Sequence, residues 1–285
     1  MIFKKRKLSC KTLLLSLGVL FFSQLSFTQT TYKFGVVPQF EPRKLAAIWV
    51  PILKHLEVKT GFKFELVGSA DIPEFESGYE TGRFDLAYLN PYHALIARKT
   101  QKYQPILKEG NSKLFGILVV AKNGSIKKVR DLKQKNKVDI AFPAPNSLGA
   151  SLLMRSDLDR KFGIKFNPIW TKTHTSAYLS VVLGKATAAG GIMATLKQEP
   201  LEVQEKLKVI YETKPISPHP IVVHPRVSKK DQEIIQKAFL ELASTPEGVD
   251  LLSLIPIKKL VSTSFEDYKE LSKLGLEKYY IKGSD

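Results

Sequence analysis

The sequence predicts an α/β protein of two lobes, each a mainly parallel sheet flanked by helices, with two crossing segments at a hinge and a cleft between the lobes. From Tyr32 onwards, short apolar runs alternate with amphipathic helical stretches, the order that builds a parallel sheet. A lysine-rich interval after Gly124 and a proline-punctuated stretch near residue 215 break that alternation into blocks. The chain is also long enough, at 285 residues with 44% apolar, for two separate cores.

The elements follow in order. "YKFGVVP" is a short strand ended by Pro38. In "RKLAAIWVPILKHLEVKTG", Leu45, Ile48, Trp49, Ile52, Leu53 and Leu56 share one helical face. Pro51 interrupts that helix at a cost of about 3 kcal/mol, which predicts a kink or a late start. "FKFELVG" is the second strand, and "FDLAYLNPYHALIARK" is a third that breaks at Asn90 and Pro91 into a helix. "LFGILVVAKNG" is a fourth, ended by Asn123 and Gly124, after which the chain is expected to cross into the second lobe. There it would form the strand "VDIAF", a helix through Leu152 and Leu153, the strand "FNPIW" and the helix "AYLSVVLGKA". "KVIYETKPISPHPIVVHPR" returns as an extended linker or edge strand, because its prolines do not suit a central helix. Ser228 then caps a helix carrying Ile234, Ile235, Ala238, Phe239 and Leu242. The expected division is a leader at 1–28, a discontinuous first lobe at 29–120 and 215–285, and a second lobe at 121–214.

Lys4, Lys5, Arg6, Lys7 and Lys11 flank an apolar run from Leu13 to Phe22, followed by small and polar residues. This reads as a secretory signal peptide cut near Thr28, with the mature protein in a bacterial periplasm. The run is short of the roughly 20 residues a membrane span needs, so an uncleaved anchor is the weaker alternative. Cys10, the only cysteine, lies before the apolar run, which leaves the mature chain neither a disulfide nor a thiol nucleophile. Without the leader the net charge is about +12, which either favours anionic partners or marks a solvated basic surface. Dispersed lysines and export argue against nucleic acid.

Four strand-to-helix junctions carry small or polar groups: Gln39 and Phe40, Tyr88 to Tyr92, Asn146 to Ser151, and Thr173 to Ser176. In open α/β sheets ligands bind beyond the carboxyl ends of strands, so these loops could converge on one cleft. Asn146, Ser147, Gly149 and Ser151 stand where a helix start offers unpaired N–H groups and the positive end of its dipole to an anion. The alternative is an ordinary helix cap by Asn146 or Ser147. His174 could donate to an anion or be a satisfied surface histidine. Tyr88 and Tyr92 could supply phenol donors, or pack in the core. No Walker-type loop, G-x-S-x-G or HExxH occurs, and His219 and His224 have no carboxylate placed with them as metal ligands usually are. A binder without cofactor or metal is favoured over an enzyme.

At these segments the chain resembles the periplasmic phosphate/phosphite/phosphonate-binding proteins of ABC transporters. "GRFDLAYLNPYHAL", "DLKQKNKVDIAFPAPNSLGAS", "HTSAYLSVVLGKATAAGGI" and "STPEGVDLLSL" carry the resemblance, which spans roughly Tyr32 to Leu254. It implies a periplasmic-binding-protein (venus-flytrap) fold that closes on a phosphonate, phosphite or phosphate ion and presents it to an ABC permease. By resemblance Tyr88 or Tyr92, Ser147, Ser151 and His174 would touch the anion, with Phe40 on the opposing wall. Two departures stand out. Asn146, Ser147, Leu148 and Gly149 replace a Ser-Thr-Ser-Gly run, and Thr187, Gly190 and Gly191 occupy the region where the family has an acid. A ligand without an amine therefore fits better. A sensory role, with the same domain reporting to a membrane kinase, is the alternative to transport.

Overall fold

The computed structural model describes Ile2 and residues 29–282 apart from 135–137 and 256. The rest of the expected leader, Cys10 included, and two lysines of the basic interval, Lys135 and Lys137, lie outside the described residues.

The first lobe begins β1 (Thr31–Val36), α1 (Pro42–Thr60), β2 (Lys63–Val67), α2 (Ile72–Glu80), β3 (Leu86–Tyr88), α3 (Pro91–Gln101) and β4 (Gln104–Glu109). The second holds β5 (Gly116–Ala121), β6 (Val138–Phe142), α4 (Met154–Ser156) between π-helical turns at Leu148–Leu153 and Asp157–Lys161, β7 (Phe166–Trp170), α5 (His174–Val182), β8 (Ala188–Ile192), α6 (Met193–Leu196), α7 (Leu201–Gln204) and β9 (Leu207–Glu212). The chain then returns to the first lobe with β10 (Pro220–Val223), α8 (Lys229–Leu242), α9 (Pro246–Ser253) and β11 (Leu260–Ser262), and ends in 3₁₀ turns at Phe265–Lys273 and Leu276–Lys278. The strand orders are β11-β4-β10-β3-β1-β2 and β7-β6-β8-β5-β9.

Both sheets are mixed rather than mainly parallel. β1 runs parallel to β2 and β3, and β6 parallel to β7 and β8, while β10 and β5 lie antiparallel to their neighbours. The hinge explains this. β5 and β10 enter their sheets from the hinge, where the other lobe-forming strands end, so Gly116 stands opposite Ile192 and Ile221 opposite Tyr88. The chain changes sheet at residues 110–115, not after 120, because β5 belongs wholly to the second sheet. It returns at residues 213–219. The C-terminal segment bridges the two lobes: Asp267 pairs with Lys108 and the Tyr280 hydroxyl donates to Glu80 on the first. Arg160 donates to the carbonyls of Leu274 and Gly275, and the hydroxyl of Tyr279 donates to Asp159, strapping that segment onto the second lobe.

Apolar periodicity places the cores. The face of α1 read from the sequence supplies buried Ile48, Trp49, Ile52, Leu53 and Leu56. Trp49 packs 5.1 Å from both Phe34 and Tyr88, ring centre to ring centre. α1 neither starts late nor breaks at Pro51, which it contains. The carbonyl that Pro51 leaves without an N–H partner belongs to Ala47, on the exposed face where water can reach it. In the second lobe the period of two divides each strand between layers. Leu118, Val120, Ile140 and Phe142 meet Met154 and Leu158 on one face, and Ile117, Val119 and Ala141 meet Ala177, Tyr178 and Val181 on the other.

Candidate functional site

The carboxyl ends of β1, β3, β6 and β7 open onto a cavity with about 20 Å³ of free space, room for one or two water-sized spheres. Each of the four junctions contributes to its wall: Gln39, Asn90, Ser147 to Ala150, and His174. The crossing segments add Leu114 and His219, and the end of β8 adds Ile192. No side chain of Asp, Glu, Lys or Arg lines it among the described residues.

The second-lobe wall is the start of the helix at residues 148–161. Ser147 occupies the cap position, yet its hydroxyl makes no capping bond. The Ser147 carbonyl accepts from both Ser151 and Leu152, at 2.8 and 3.0 Å, so the opening turn is wide. The N–H groups of Leu148, Gly149 and Ala150 lie ahead of the first intrahelical bond and have no backbone acceptor among the described residues. The capped-helix alternative is therefore not realised. The cavity meets hydroxyl and amide donors at the positive end of a helix.

Two buried histidines complete the wall. His174 opens α5 behind Thr173, whose side chain accepts from Ser176 N–H. Its Nδ1 lies 3.2 Å from Thr195 Oγ1, which also lies 3.0 Å from the Ile192 carbonyl and 2.8 Å from the Tyr178 hydroxyl. Burial holds the His174 pKa down to about 4. His219 stacks on Tyr88 with ring centres 5.3 Å apart and takes the Gln39 amide at 3.3 Å on Nε2. Burial, and then the neighbouring His93 and His174, lower its pKa to about 3. At neutral pH both rings are uncharged.

Of the residues expected at the site, Ser147, Gly149 and His174 line this cavity and Phe40, Tyr88, Tyr92, Asn146 and Ser151 do not. Phe40 turns its ring to Lys44 Nζ, 3.9 Å from the ring centre. Tyr88 lies between Trp49 and His219, and Tyr92 packs with Leu148 and Leu152, 5.6 Å from the Tyr280 ring. Asn146 is bound elsewhere: its amide donates to Glu76 at 2.9 Å and to the Ile281 carbonyl at 2.7 Å, and its oxygen accepts from Ile281 N–H. Ser151 accepts from Arg155 Nε. Sequence reading held Asn90 only within the junction Tyr88 to Tyr92, weighed His219 only as a metal ligand, and singled out Phe40 beside Gln39. Asn90 was legible as a cap, since its side chain accepts from the N–H groups of Tyr92 and His93. For His219 no local signal exists, because only the pairing of β10 with β3 brings it to the cleft.

A family model described as "ABC transporter, phosphonate, periplasmic substrate-binding protein" matches residues 34–268. The phosphonates-binding periplasmic protein of Escherichia coli K12 is 26% identical over 226 residues, 75% of this chain and 67% of the relative. Two solved structures share the fold. A binding-protein component of a Pseudomonas aeruginosa ABC phosphonate transporter aligns with TM-score 0.75 at 18% identity, over 86% of this chain and 85% of its own. PhnD1 from Prochlorococcus marinus, in complex with methylphosphonate, aligns with TM-score 0.78 at 16% identity, over 88% of this chain and 99% of its own. With the family model covering most of the chain, two lobes of the expected architecture and a cleft between them, the protein belongs to the phosphonate-type periplasmic substrate-binding proteins of ABC transporters.

Proposed function

We propose that this protein captures a phosphonate-type oxyanion in the cavity between its lobes and delivers it to an ABC permease, after export by its N-terminal leader. The observation that carries the reading is the cavity wall. Ser147 with an uncommitted hydroxyl, three N–H groups without a backbone acceptor and the Asn90 and Gln39 amides meet there, and among the described residues no carboxylate lines the cavity to repel an anion. Small tetrahedral anions suit such donors, and PhnD1, which shares the fold, was solved in complex with methylphosphonate. The uncharged His174 ring would hydrogen-bond one phosphonate oxygen, while backbone and Ser147 donors hold the others. The segments 110–115 and 213–219 would bend as the hinge. The ligand would stabilise the closed form because the two halves of its shell belong to different lobes. Isothermal titration of the mature chain, residues 29–285, with methylphosphonate, phosphite, phosphate and sulfate tests this. Saturable binding of methylphosphonate that is weakened in Ser147→Ala is the expected result. Heat-silent titrations, together with an unchanged melting temperature for every oxyanion, would remove the proposal.

A further inference from the structure

A second cavity adjoins the first. It is much larger, about 430 Å³, within the usual size of small-molecule pockets, and its walls are mainly apolar. Leu114, Ile192 and His219 line both cavities, so these three side chains form the partition. Beyond it, Phe115 and Met193 face from the second lobe, and Pro218, Ile255 and Ile257 from the first. The first cavity has about 20 Å³ of free space against about 430 Å³ in the second, so whatever is attached to the head group must extend out of it. The way out past His219 leads into apolar surroundings.

The charges around this second cavity discriminate further. Glu109 is its only carboxylate among the described residues. Both of its oxygens are taken by backbone N–H groups: Asn111 and Ser112 donate to one, Lys258 and Lys259 to the other. Lys113, Lys197 and Lys258 stand exposed at the rim. An ammonium group would find three like charges and no free acceptor of opposite sign.

We propose that the natural ligand is a phosphonate or phosphate monoester bearing an uncharged apolar arm, with the oxyanion against Ser147 and the helix start and the arm past His219 beside Met193 and Ile255. This rests on the oxyanion reading above and assigns the second half of the ligand.

Isothermal titration of the mature chain with methyl-, ethyl-, n-propyl-, 2-aminoethyl- and phosphonoacetate ligands tests it. Burial of each methylene contributes about fourfold in affinity, so n-propylphosphonate should bind about 15-fold tighter than methylphosphonate. It should also exceed its near-isostere 2-aminoethylphosphonate by at least about tenfold, and Met193→Glu should narrow or reverse that preference. Methylphosphonate binding with a flat or falling alkyl series overturns the arm pocket and leaves the oxyanion reading standing. Tighter binding of phosphonoacetate than of n-propylphosphonate overturns it too, by giving the rim lysines an anionic arm. Failure of every phosphonate to bind overturns both. The wild-type series decides even where Met193→Glu does not fold.

Discussion

Mild acid should destabilise this protein through its two cavity histidines. Unfolded, each has a pKa near 6.5; folded, His174 sits at about 4 and His219 at about 3, both held down chiefly by burial. A folded-state pKa below the unfolded one means that the unfolded chain binds more protons. The stability difference is therefore fully present above pH 6.5 and is lost as pH falls through the folded values. At pH 5 an unfolded histidine is almost wholly protonated and either cavity ring almost wholly neutral, which corresponds to about 2 kcal/mol per ring. The sum, about 4 kcal/mol, is a large part of the 5–15 kcal/mol by which domains are stable. Hydrogen bonds and neighbouring cations hold the carboxyls of Glu74, Asp131, Asp159, Asp267 and Glu270 below the usual carboxylate range, and all five are common to the proteins compared. His224 is also lowered, but it is common to the proteins compared and cancels. Urea unfolding of the wild type and of a His174→Gln/His219→Gln double variant, at pH 7.5 and pH 5, measures the effect. The wild type should lose about 3–4 kcal/mol more than the variant over that interval. An equal loss in both would refute the argument, because it would mean that these rings exchange protons with solvent as freely when folded as when unfolded.

Three further perturbations probe the same architecture. Ser147→Ala removes a hydroxyl that caps nothing, so it should weaken oxyanion binding about ten- to a hundredfold while leaving the unfolding midpoint within experimental error; a fall in the midpoint would show the hydroxyl to be structural. Gly116→Ala would place a Cβ 1.9 Å from the Gly149 carbonyl oxygen. β5 and the anion-facing turn must then separate, at a cost of about 3 kcal/mol or more, and a thermal melt superimposable on the wild type would show that they are not closely packed. Asn146→Ala deprives buried Glu76 of a 2.9 Å donor and frees the C-terminal strap at Ile281. A loss of about 2–4 kcal/mol is expected by urea titration, together with faster hydrogen exchange at residues 279–282, and protection unchanged there would argue that the strap is held by Arg155 and Asp159 alone.

What could be read from the sequence divides along physical lines. The lobes, the buried face of α1 and the helix start at Ser147 were legible because each depends on residues close in the chain, through periodicity or a junction of strand and helix. The direction of the strands was not. Alternation of strands and helices implies parallel pairing only while the chain stays in one sheet, and β5 and β10 arrive from the other lobe. The site divides in the same way. Its second-lobe half, Ser147 to Ala150 with His174, is carried by two continuous segments. In the first-lobe half, neighbours in sequence exchange places: Gln39 faces the cavity while Phe40 turns to Lys44, and Asn90 faces it while Tyr92 packs against Leu148. Successive residues of a junction point different ways, and a reading that names the junction cannot choose among them without the backbone.

His219 shows most clearly why the discriminating part of such a site escapes inspection. In the sequence it is a histidine between two prolines, with no carboxylate or second ligand nearby to suggest a role. It reaches the cleft because β10 inserts antiparallel between β3 and β4, setting Ile221 against Tyr88 and Leu107. That insertion stacks the His219 ring on Tyr88 and turns Nε2 to Gln39, some 180 residues away in the chain. The same ring then forms part of the partition between a polar cavity for the anion and an apolar one beside Met193. In the proposed mode of binding, the anion head would thus rest on a helix start that local sequence can encode, whereas what is attached to it would be read by a crossing strand. A single substitution at position 219 would therefore act on both cavities at once, since it alters the partition and also releases the Gln39 amide that His219 Nε2 accepts.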